Sequence, residues 1–129
     1  MLALRIVLGA VGLLSVMLAA RIWADPSAAA VQFGLLVNGV LGQATLRADL
    51  AALFAATGGL SAFAALKGDG RVLLGPLCLI GAALAGRLLN LFAAGFTLNQ
   101  VAPILIEVVM LSLLVTGFRS LRPASVSPA

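Results

Sequence analysis

Four long apolar stretches, at residues 4–24, 46–66, 71–95 and 100–118, alternate with short polar breaks along the chain. Each is long enough to cross a bilayer, which takes a run of about 18 residues or more. The pattern predicts four transmembrane helices. Between the first two lies "SAAAVQFGLLVNGVLGQAT", residues 27–45, apolar but broken by Gln32, Asn38 and Gln43 and rich in glycine. It is short for a crossing, and no polar loop separates it from Leu46. A fifth crossing would also place Arg5 and the Lys67/Arg71 loop on opposite faces. The segment is therefore expected to be interfacial or re-entrant, packed on the outer face.

The second stretch is dominated by small residues. Ala48, Ala52 and Ala56 recur every four positions, as do Ala51, Ala55 and Gly59. The third repeats the device with Gly81 and Ala85, and with Ala82 and Gly86. Rows of this kind let helix backbones approach closely in lipid, where packing rather than hydrophobicity joins helices. They predict a tight bundle, with a flat face available to a partner.

Composition agrees with the pattern. The 129 residues form one domain, 63% hydrophobic and only 9% charged, with a mean hydropathy of +1.21. A soluble domain carries about 25% charged residues. The formal charge of +4 is a matter of topology rather than of a nucleic-acid partner. With four crossings, Arg5, Lys67, Arg71, Arg119 and Arg122 share one side, opposed there only by Asp69. The other side carries Arg21 beside Asp25, four apart and able to pair, and an uncharged connection at 96–99. Short basic loops stay cytoplasmic, so both termini are expected inside.

A secretory signal over the first stretch is the competing reading, but its candidate cleavage tripeptide, Ile22-Trp23-Ala24, lacks a small residue at the first position. The stretch is read as a true span. The domain is taken as 1–118, followed by a disordered polar cytoplasmic tail at 119–129, rich in Ser and Pro.

Glu107 stands alone among apolar residues in the fourth stretch. A carboxylate at the centre of a spanning helix costs roughly 2.5–3.5 kcal/mol on insertion scales, so it needs a partner. The last two stretches form a hairpin centred near Thr97, and Arg87 and Glu107 each lie ten residues from it. Equal spacing on antiparallel helices gives equal depth, about 12–15 Å below the surface. Arg87 is the predicted partner of Glu107. Asn90 follows one turn after Arg87, and Arg47 and Asp49 open the second span on the same side, pointing to nearly opposite faces. Arg47, Asp49, Arg87, Asn90 and Glu107 are thus the candidate ligand-binding or polar-network residues, with their four charges summing to zero. Two readings follow: a salt-bridge network that fixes helix register, or a polar pocket open to the outer face.

The chain has no His and no Tyr, and its one lysine, Lys67, lies in a loop. Imidazole ligation of haem or metal is excluded. No phosphate-binding, serine-hydrolase or zinc-protease motif occurs. Cys78 is the single cysteine, so disulfides are excluded, and it is expected to be a small buried side chain. Pro103 is either an ordinary first-turn proline or a device that frees a carbonyl near Glu107. No catalytic residue, metal or cofactor is predicted.

Asp25-Pro26 after the first span, Arg47-Ala48 opening the second, Arg87 late in the third and Glu107 in the fourth form a pattern. It resembles small bacterial four-span membrane proteins catalogued as domain of unknown function 4345. The resemblance covers nearly the whole chain. This chain has Thr45 where that pattern carries an acid, and Leu50, Ala51 and Ala52 where it carries an aromatic residue and paired glycines. A broader similarity is to DoxX-like four-helix membrane proteins. The resemblance implies topology and a place in the bacterial inner membrane, with no activity attached.

The expected fold is an all-α, integral membrane four-helix bundle. The expected function is non-enzymatic: an accessory or self-associating subunit with the bilayer and a membrane protein or second copy as partners. The alternative is a carrier or receptor for a small anionic or lipid-like ligand.

Overall fold

The computed structural model describes residues 1–121, and those residues are helical wherever they are regular. Helix α1 spans Leu2–Ala24 and a short α2 spans Pro26–Gln32. Three long helices follow: α3 (Gly39–Lys67), α4 (Gly70–Ala94) and α5 (Leu98–Ser120). With α1 they make four helices long and apolar enough to cross a membrane. That is the build of a multi-pass membrane protein.

Local chemistry sets the breaks. Asp25 ends α1, and its Oδ1 accepts from the Ala28 N–H at 3.0 Å while Pro26 opens α2. An aspartate cap followed by proline is a strong helix start. Asp25 is therefore engaged as a cap rather than by Arg21, contrary to the pairing expected from their spacing. Helix α3 ends at Gly68, whose φ of +71° is left-handed and suits a residue without Cβ.

The third helix begins at Gly39, seven residues before the predicted span, so most of the presumed outer segment divides between α2 and the start of α3. Gln43 reads as an interruption in sequence, but the helix runs through it, and Thr45 returns its hydroxyl to the Leu41 carbonyl at 3.0 Å. The ladder continues through one π turn at Leu46–Leu50, where the Ala51 N–H reaches back to Leu46.

Helices α1 and α3 make the most extensive contact in the molecule. Their axes cross where Gly12 meets Gly58. A Cβ on Gly12 would lie 2.7 Å from the Gly58 carbonyl oxygen, and one on Gly58 would lie 2.5 Å from that of Gly12. The backbones touch, as small residues permit. Of the two rows predicted in α3, Ala51 is buried in the distal core with Ala55 packed against it, whereas Gly59 and the whole of Ala48, Ala52 and Ala56 are exposed.

The end bearing Met1, the 68–70 turn and Leu121 is tightly closed. Arg5 donates from Nε to the Ala65 carbonyl and from a terminal nitrogen to that of Leu66, both at 2.6 Å. A guanidinium there satisfies the unpaired carbonyls at the C-terminus of α3 and opposes its dipole. The Gly70 N–H donates to the Leu121 carbonyl, so α5 runs past the predicted boundary at 118 into this contact. Of the tail expected at 119–129, residues 122–129, with Arg122, lie outside the described residues. Arg5→Lys should lower the unfolding free energy in detergent by about 1–3 kcal/mol, since one ammonium does not reproduce the planar fork. Thermal unfolding followed by circular dichroism measures this, and an unchanged midpoint would remove the cap from the account.

At this end all four long helices share a core of Leu8, Ala64, Leu73, Ile80 and Leu114. At the distal end the core is Ala19, Ile22, Ala29 and Ala51, from α1, α2 and α3 alone. The α4–α5 hairpin buries only residues of its closed half, among them Pro76, Ile80, Leu114 and Gly117. Its distal half stands clear of the other helices. Cys78 is exposed rather than buried, because α4 turns Pro76 and Ile80 inward and leaves position 78 outside.

Candidate functional site

Arg87 and Glu107 meet on the distal half of the hairpin, with Arg87 Nε 2.6 Å from Glu107 Oε1. The turn at Gly95 leaves α4 and α5 antiparallel, and equal spacing from Thr97 brings the two residues level. Glu107 Oε2 is buried and accepts no hydrogen bond, and the Arg87 side chain remains 41% exposed against 12% for Glu107. The carboxylate is thus half satisfied and the guanidinium keeps donors to spare, since it carries five N–H groups. Within α5 a 3-10 turn at Leu98–Gln100 precedes the α-helical part, and Pro103 sits in the first turn of that part, two residues after Val101, as an ordinary helix-opening proline.

The other candidates do not join this pair. Arg47 Nε donates to the Trp23 carbonyl and the Trp23 indole N–H donates to the Arg47 carbonyl, each at 3.0 Å. This reciprocal clasp ties the end of α1 to the π turn of α3. Of the five candidate ligand-binding or polar-network residues, Arg47, Asp49, Arg87, Asn90 and Glu107, only Arg87 and Glu107 bond to each other. Positions 47 and 49 leave α3 in different directions, and only Arg47 faces α1. Asp49 lines a shallow open groove with Ala48, Ala52, Leu53, Ala56 and Leu79. Asn90 is exposed, and among the described residues neither it nor Asp49 makes a side-chain hydrogen bond or salt bridge.

Trp23 was not among the sequence candidates. It is the only tryptophan and closes the first apolar stretch, which is the signal that marks an interfacial anchor. Thr57 and Ser61 were missed as well. Their hydroxyls are buried without a partner, whereas Ser15, Ser112 and Thr116 each donate to the carbonyl four residues back.

Among the described residues the arrangement is two separate polar devices, the Arg87–Glu107 pair and the Arg47–Trp23 clasp, with Asp49 apart from both. No group of three or more metal-ligating side chains occurs among the described residues. Among the described residues, no nucleophile or second acid is hydrogen-bonded to the Arg87–Glu107 pair. No family model matches the chain, and neither does any curated protein or solved structure compared with it.

Proposed function

We propose that the chain is a non-enzymatic integral membrane subunit that works by associating with a second copy or another membrane protein. The observation that carries this reading is the uncovered distal half of the α4–α5 hairpin. It presents a half-exposed ion pair beside apolar residues such as Leu89 and Phe92. In a bilayer a charge on a lipid-facing surface is unfavourable, and covering it with protein relieves that. The pair then acts as an intramembrane salt bridge that fixes the register of α4 against α5.

In this reading the basic, closed end is cytoplasmic and the distal end faces outward, as the resemblance to bacterial inner-membrane proteins and the positive-inside tendency imply. A reporter fused after Ala129 should be active in the cytoplasm. Activity of a reporter that works only in the periplasm would overturn the orientation.

The second reading, a carrier or receptor for a small anionic or lipid-like ligand, draws on the spare donors of Arg87 and the unpartnered Oε2 of Glu107. Purification in a gentle detergent followed by native mass spectrometry separates the two. A stoichiometric protein partner or a homo-oligomer is expected, whereas a monomer retaining a small molecule would favour the second reading.

A further inference from the structure

The open groove between α3 and α4 carries one charge, Asp49, on its α3 side. On α3 the exposed row is Asp49, Ala52 and Ala56. On α4 Leu79 lines the groove, and the exposed positions Ala82, Gly86 and Asn90 continue its face at spacings of three and four. A Cβ built on Gly86 would meet no atom within 4 Å. From the geometry we infer that this face is the interface of a two-fold dimer. The α4 of a second copy lies against α3 of the first, and Arg87 of the second copy approaches Asp49.

Depth and charge both favour this occupant. The turn between α3 and α4 is at Asp69, with Asp49 twenty residues before it and Arg87 eighteen after. At about 1.5 Å per residue the two differ by roughly 3 Å in height. A two-fold axis along the membrane normal keeps equal heights together, so one surface supplies both partners twice over. Arg87 spends Nε on its own Glu107 and keeps its terminal nitrogens for the Asp49 of the other copy. Exposed Ala and Gly on both faces allow the close backbone approach that joins helices in lipid.

The inference rests on the self-association reading and adds a surface to it. Its test is disulfide trapping between two differently tagged copies in native membranes, in a Cys78→Ser background. Ala52 and Gly86 are each seventeen residues from Asp69, hence level. With Ala52→Cys in one copy and Gly86→Cys in the other, a cross-linked heterodimer band is expected. Because each copy carries one cysteine, an intramolecular bridge between α3 and α4 does not arise. Pairing Met17→Cys, exposed on α1, with Gly86→Cys should give little product. Adding Asp49→Asn should reduce the 52–86 band about threefold to tenfold. Equal yields from the 17 and 52 positions, or a yield indifferent to Asp49→Asn, would overturn the interface. A homodimer by native mass spectrometry without the 52–86 cross-link would overturn this surface and leave self-association standing. A monomer without any protein partner would remove both.

Discussion

Gly58→Ala should destabilise the folded chain in mild detergent by about 1–3 kcal/mol or more, while Gly59→Ala, its immediate neighbour, should be neutral or stabilising by up to about 1 kcal/mol. The Cβ added at position 58 meets the Gly12 carbonyl oxygen at 2.5 Å and the Val16 backbone nitrogen at 2.8 Å. Neither is the end of a flexible side chain that can swing aside. To accept the methyl group, α1 must move off α3 along the most extensive contact in the molecule. At position 59 the same methyl group meets nothing within 4 Å, and a helix gains from losing a glycine. Two identical substitutions one residue apart thus differ in sign. Thermal unfolding by circular dichroism reads both, and parallel behaviour would show that α1 and α3 do not cross there.

The second large effect concerns the ion pair. Glu107→Gln and Arg87→Met should each destabilise the hairpin, because each leaves the other charge without its partner on a largely apolar surface. The double variant should be less damaged than the sum of the singles, with a coupling of about 0.5–3 kcal/mol. The 2.6 Å separation and the burial of Glu107 place the pair in the range where coupling is measurable. The partial exposure of Arg87 argues for the lower half of that range in detergent, where water and headgroups reach it. A cycle with no coupling would mean that the acid serves a ligand or proton path instead, and Glu107→Gln would then leave the fold intact.

How far these features can be read from sequence depends on the physics each one uses. The four apolar stretches and the depth match of Arg87 with Glu107 follow from length and spacing, and both are legible. The early start of α3 is not. Gln43 reads as a break in an apolar segment, and residue type alone does not show that Thr45 bonds within its own turn or that Arg47 reaches across to Trp23. The Arg47–Trp23 clasp joins residues twenty-four apart through backbone carbonyls, which leave no mark in residue type. Small-residue rows were visible in α3, but the register that selects Gly58 over Ala52 or Ala56 depends on where α1 lies. Asp25 shows the same limit from another side, since its spacing suits Arg21 equally well and only the chain reversal into α2 decides for the cap.

The contact between Gly12 and Gly58 also orders events during synthesis. Forty-six residues separate the two glycines, including all of α2 and the π turn. At about 5–20 residues per second, α1 emerges roughly 2–9 s before the surface it will pack against exists. For that interval α1 has to persist as a solitary helix, with Gly12 and Ser15 open to whatever surrounds it. Any other nascent helix with a narrow face is then a rival for the same groove. The α2 segment and the 33–38 connection set how quickly the rightful partner arrives, because they fix the loop that must close. Lengthening that connection would be felt as a slower capture of α1 and a lower yield of folded protein, with the finished molecule unchanged.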